Sequence, residues 1–190
     1  MIKIALVGDI GSGKSYIANL FNYPIFNADA AVANIYKNNK ICFSRIKKRF
    51  PKYISSFPIK KKEITKIILA DSKNVKHISK IIHPIVRKKM NLFLKKNKNK
   101  KIVILDVPLY LENKLNKKND IIIFIQSKKT EILKRLRKRK GFNIVLIRKL
   151  KKIQLSLENK KKKSNFVIKN NFKKKNAKKH VKNILNKILI

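Results

Sequence analysis

The residues best suited to chemistry open the chain. Gly8-Asp9-Ile10-Gly11-Ser12-Gly13-Lys14-Ser15 fits the pattern G-x-x-x-x-G-K-[ST] in full. Gly8, Gly11 and Gly13 allow backbone angles and close approach denied to residues with a Cβ, so successive N–H groups can turn inward around phosphate oxygens. A helix starting near Gly13 would offer its unpaired N–H groups and positive end to the same anion. Lys14 supplies a mobile charge for the β- and γ-phosphates, and the Ser15 hydroxyl suits Mg²⁺. Ser12 and Tyr16 complete the candidate contact with a nucleotide such as ATP. The competing reading is a Gly/Ser turn that meets a lysine by chance.

The elements around the loop support the first reading. Ile2 to Val7 is a short apolar run fit for a buried strand, and Ile17, Leu20 and Phe21 share a helical face after the loop. Pro24 to Asn27, Lys101 to Val107, Ile121 to Gln126 and Phe166 to Ile168 read as further strands. Between 29 and 99 the pattern is helical, cut into pieces at Pro51, Pro58 and Pro84. Ser127 to Thr130 can cap a helix carrying Arg135, Arg137 and Arg139, a second lysine-rich helix runs to about Glu158, and Ala177 to Leu189 closes the chain. Strands alternating with helices predict an α/β fold with a mainly parallel sheet.

A right-handed crossover brings Asp29 to the sheet edge that carries the glycine-rich loop, and Asp106 ends there too. Asp29 can orient an attacking hydroxyl and take its proton, or simply cap the helix beginning at Ala30. Asp106 can hold the Mg²⁺ shell through water, or be a polar strand terminus. Arg135 and Arg139, four apart, share a helical face and can neutralise transferring phosphate, against a merely solvated role. His83, before Pro84, reads most simply as a helix-terminus residue.

The 190 residues include 51 Lys and Arg against nine Asp and Glu, a net charge of +42. Such charge invites a polyanion-binding role. Only seven of those basic residues are arginine, however, and Lys, Ile and Asn fill about half the chain, as an AT-rich coding bias would produce. The lysines are spread almost evenly, no row of stacking aromatics is visible, and Lys160 to Lys163 and Lys173 to Lys175 read as solvated charge runs. Lone Cys42 excludes an intrachain disulfide framework, and His77, His83 and His180 lack metal-ligand spacing. Without a signal-like or bilayer-length apolar run, the expected setting is cytoplasmic, with no membrane partner and no specific nucleic acid.

Taken in order, these residues resemble the dephospho-CoA kinase family. Ile10 to Ser15 matches its I-G-S-G-K-S opening, and Asn27-Ala28-Asp29 its D-A-D. His83-Pro84 followed by apolar residues, Pro108-Leu109-Tyr110-Leu111-Glu112, and Leu133 with Arg135 and Arg139 follow in register. Gln154 and Ser164 to Asn170 complete the set over nearly the whole chain. The resemblance implies a P-loop kinase core of three layers on about five parallel strands (about 1–28, 100–135 and 164–190). It adds a helical acceptor lobe at about 29–99 and a lid at about 136–160.

The implied reaction moves the γ-phosphate of ATP to the ribose 3′-hydroxyl of dephospho-CoA, in a monomer or weak oligomer. Asp29 would be the acceptor-side base, Lys14 and Ser15 would serve ATP and magnesium, and His83 with Pro108, Leu109 and Glu112 would shape the acceptor site. Asp9, Val7, Asn27 and Asn165 depart from the family's usual glycine, threonine and aspartates. Asp9 sets a like charge near the phosphates unless its carboxylate points away or meets a lysine. Rival readings are a nucleoside or nucleotide kinase and a basic polyanion-binding protein with a vestigial loop.

Overall fold

A computed structural model of the chain describes residues 1–139 and 141–189. Lys140, inside the expected lid, and Ile190, at the end of the expected core, lie outside the described residues. The chain forms two compact units: Met1–Asn27, Asn97–Phe142 and Gln154–Ile190 make the first, Ala28–Lys96 and Asn143–Ile153 the second.

The first unit is a five-stranded, all-parallel sheet in the order β2-β3-β1-β4-β5. Its strands are β1 (Ile2–Gly8), β2 (Ile25–Asn27), β3 (Ile102–Asp106), β4 (Asp120–Gln126) and β5 (Phe166–Lys169). Every residue of β3 is buried, and β1 is buried from Ile4 onward. Near-continuous apolar runs of this kind are what a parallel sheet covered on both faces requires. Helices α1 (Lys14–Leu20) and, in chain order later, α9 (Lys174–Ile188) pack together and close one core with Ile17, Phe21, Val181 and Ile184. Parallel pairing sets all five strand ends on one edge, where Gly8 lies beside Ile125 and Asn27 beside Asp106.

The second unit holds α2 (Ala28–Asn38), α3 (Lys40–Arg49), α4 (Lys61–Ala70) and α5 (Asn74–Lys96). They enclose a separate cluster built on Ile35, Cys42, Ile46, Ile54 and Ile67. Burial pushes the Cys42 thiol up to about 11 despite nearby Arg45, so it sits in the core as a neutral thiol. Pro84 does not break this region, contrary to expectation: it lies inside the 23-residue α5. Proline removes one main-chain donor there, and the buried stripe Val75, Ile78, Ile82 and Met90 carries the helix through it.

The arginine helix α6 (Lys129–Arg137) ends before Arg139. Its last turn tightens through a hydrogen bond from the Arg139 N–H to the Leu136 carbonyl, just ahead of Gly141 at φ +76°. The expected single helix to Glu158 is two, α7 (Ile144–Lys152) and α8 (Leu157–Lys162). Ser156 starts the second by accepting the Asn159 N–H, a side-chain cap that competes with continuing the first.

Candidate functional site

The glycine-rich loop leaves β1 at Gly8 and enters α1 after Gly13, so strand, loop and helix follow in the order the pattern demands. Backbone geometry makes two glycines obligatory. At Gly8 (φ +147°) a Cβ would lie 2.6 Å from the Ile125 carbonyl oxygen; at Gly13 (φ +94°) it would lie 2.5 Å from Asn170 Nδ2. Lys14 Nζ donates to the carbonyl of Asp9 at 2.9 Å and of Gly8 at 3.3 Å, folding the ammonium back over the loop. Neither end of the first helical turn carries an acidic residue, and no side chain caps α1. A helix N-terminus without an acidic neighbour or a side-chain cap is suited to an anion.

Two groups that sequence reasoning missed brace this loop from behind. The buried Asn170 side chain and the Ser127 hydroxyl both donate to the Ser12 carbonyl, at 2.9 and 3.0 Å. Ser12 Oγ is buried without a hydrogen-bond partner among the described residues. The Phe172 ring lies next to Gly13, and the Arg135 guanidinium stands 4.4 Å from the ring's centroid. The sole sequence signal for these braces is the resemblance that ends at Asn170.

Asp9 is buried, and its carboxylate turns to the N–H of Ile10, with Oδ1 accepting at 2.7 Å. Asp106, only 3% exposed, ends β3 and accepts from Asn27 Nδ2 at 2.9 Å. The asparagine at 27 thus donates where an aspartate would set two carboxylates together. Asn165 accepts the Ile122 N–H on its side-chain oxygen at 2.8 Å, a role that an aspartate would fill equally. Among the described residues no group of three or more His, Cys, Asp or Glu could hold a metal ion. Ser15 and Asp106 offer hard oxygen donors, a set that fits Mg²⁺ when phosphates and water supply the rest.

The Pro108 to Glu112 turn follows β3. Tyr110 is buried and donates from its hydroxyl to Asp120 at 2.6 Å, which anchors the turn; burial, then that bond, pushes its hydroxyl far above the usual range. The Asn113 amide and its side chain both donate to the Leu109 carbonyl, at 3.1 and 2.9 Å. Glu112 Oε1 accepts from Lys160 Nζ at 2.9 Å and from the Leu155 N–H at 3.0 Å. Lys160 is 0% exposed, so the expectation of a solvated lysine run fails at its first member.

In the second unit, Asp29 stands inside the first turn of α2, which begins at Ala28. It is therefore not the cap of a helix starting at Ala30, although its charge still suits a helix N-terminus. His83 lies mid-helix in α5, half-buried, away from any helix end. Desolvation, then the Arg87 charge one turn on, holds its imidazole below the usual histidine value. Tyr16, Arg135 and Arg139 are exposed.

A family model described as dephospho-CoA kinase matches residues 2–176. The chain belongs to that family. A dephospho-CoA kinase of Wolbachia pipientis is 35% identical over 129 residues, a stretch covering 65% of this chain and 66% of that protein. The stretch thus spans just under two thirds of that relative's length. Among solved structures, a Thermus thermophilus protein superposes with a TM-score of 0.79 at 22% identity, covering 100% of this chain and 98% of its own. Dephospho-CoA kinase from Campylobacter jejuni gives 0.61 at 20% identity, covering 98% and 96%. At those identities the two superpositions speak for the fold, which is that of the P-loop kinases. In this dephospho-CoA kinase family member, the loop from Gly8 to Ser15 occupies the place the pattern requires, between β1 and α1.

Proposed function

We propose that this chain transfers the γ-phosphoryl group of ATP to the ribose 3′-hydroxyl of dephospho-CoA, giving coenzyme A and ADP. The observation that carries the reading is the glycine cradle, closed to any Cβ at Gly8 and Gly13, in a chain whose family match runs over residues 2–176. The loop N–H groups and Lys14 bind the β- and γ-phosphates and hold the γ-phosphorus for in-line attack. Ser15 and Asp106 would hold Mg²⁺, which when bound neutralises phosphate charge.

Asp29 accepts the proton of the 3′-hydroxyl as its oxygen bonds to the γ-phosphorus. The bond from that phosphorus to the bridging oxygen breaks, and ADP leaves with the electron pair. Arg135 contacts the nucleotide, and Arg139 neutralises charge on the transferring group. His83, kept neutral, and the Pro108, Leu109 and Glu112 turn shape the acceptor site. Helices of 29–99 serve as the acceptor lobe and 136–160 as the lid. The protein works as a cytoplasmic monomer or weak oligomer.

ADP release with ATP and Mg²⁺ tests this, with dephospho-CoA run beside adenosine, uridine, CMP and AMP. Turnover with dephospho-CoA alone is expected. Turnover only with another acceptor would keep the fold and move the substrate, whereas silence with all of them in folded, ATP-binding protein would overturn the kinase reading.

A further inference from the structure

Four lysines follow one another at Lys160 to Lys163, and three of them are exposed. The first is wholly buried, with its ammonium 2.9 Å from Glu112 Oε1 and 2.8 Å from Gln154 Oε1. Taking an ammonium and a carboxylate out of water carries a desolvation cost that apolar residues of similar volume would avoid. Helix α8 packs on β1 and could present an aliphatic side chain there.

What the pair does to Glu112 is lopsided. Oε1 takes two donors, Lys160 Nζ and the Leu155 N–H. Oε2 is buried and has no hydrogen-bond partner among the described residues, on a side chain only 10% exposed. A buried carboxylate oxygen left bare is costly unless a donor arrives from outside. The donors on Oε1 fix the rotamer and so fix where Oε2 points. They come from the residues at which the chain re-enters the first unit, from Gln154 onward, so the clamp joins the turn after β3 to that returning segment.

We propose that Lys160 is a positioning residue: with the Leu155 N–H it locks one oxygen of Glu112 and presents the other to a hydroxyl or amine donor of the phosphoryl acceptor. This rests on the function proposed above, with dephospho-CoA as the acceptor. Lys160 touches neither substrate and acts only through Glu112.

Steady-state kinetics of the full chain separate this from a purely structural role, varying dephospho-CoA at saturating ATP and then the reverse. Lys160→Met and Glu112→Gln should each raise the KM for dephospho-CoA by about 10-fold or more. The KM for ATP should stay within about twofold. The double variant should be no worse than Glu112→Gln alone, because Lys160 works through that carboxylate.

Glu112→Gln can keep a carbonyl oxygen toward Lys160 and Leu155 while replacing Oε2 with an N–H. It therefore decides the matter even if Lys160→Met does not fold. An unchanged KM for dephospho-CoA in Glu112→Gln, or equal rises for both substrates with a lowered melting temperature, would overturn the proposal while wild-type turnover upheld the function. Wild-type silence with dephospho-CoA would overturn the functional reading and this inference together.

Discussion

The two units place chemistry by different means. In the first, the strands of a parallel sheet end together, and main-chain register decides what meets what: Gly8 beside Ile125, Asn27 beside Asp106. The proposed phosphate site is made largely of backbone, so residue type is forced wherever a Cβ would collide. In the second unit an apolar cluster holds four helices and α7, and the candidate groups are side chains hung on them. Asp29 sits in a first helical turn and His83 in the middle of a long helix. A backbone site is broken wherever an added Cβ collides, while a helix-borne site depends on the identity of the side chain that the buried stripe holds in place. The first unit should therefore be sensitive to added atoms in its loop as well as to Lys14, and the second to the few polar side chains its helices carry.

The largest effect belongs to the first unit. Lys14→Ala should cut turnover by about 10³-fold or more, while thermal denaturation still shows a folded chain. Retained turnover would remove the loop from the mechanism and collapse the distinction between the units. Next comes Asp29→Asn, which should lower kcat by about 10² to 10⁴-fold if the carboxylate takes the acceptor's proton. A near-normal kcat would leave Asp29 as a residue that merely favours its helix N-terminus, and the second unit would then lose its proposed proton-transfer group.

Legibility in the sequence follows the same division. Buried strands announce themselves as runs such as Ile102 to Leu105, and the glycines of the loop announce their own backbone demands. Helix packing around Ile35, Ile46 and Ile67 could be expected as a lobe, but Pro84 misled because proline cost is local while the stripe it interrupts is long. Lys160 was invisible for another reason. In a chain with 51 Lys and Arg, nothing local separates a lysine that meets Glu112 from three neighbours that meet water. Asn170 and Ser127 reach Ser12 from residues far along the chain, and only the fold brings such partners together.

A smaller effect comes from His83. Its folded-state value is lowered, by desolvation and then by Arg87, so the unfolded chain binds the proton more readily. Stability from this group is present above the ordinary value of 6.5 and is lost as pH falls through it toward the lowered folded value. The unfolding midpoint should therefore drop less on acidification in His83→Gln than in the wild type. Equal drops in differential scanning fluorimetry would show that the imidazole is not what the second unit resists charging.

The smallest effect falls back on the first unit and tests how strict a backbone site is. Asp9 brings a carboxylate into the loop proposed to bind phosphate, where its Oδ1 accepts the adjacent Ile10 N–H. Its carbonyl meanwhile accepts from Lys14 and from the Ser12 N–H, at 2.9 and 3.2 Å. The side chain thus both adds a like charge and occupies a donor that a phosphate oxygen could use. Asp9→Gly removes both effects and leaves the carbonyl contacts in place, so ATP should bind about 3- to 10-fold more tightly. Added salt should narrow the gap by screening the charge. An affinity that does not move in a calorimetric titration would mean that the Ile10 bond holds the carboxylate clear of the phosphates. Residue type would then be forced in this loop only where a Cβ collides.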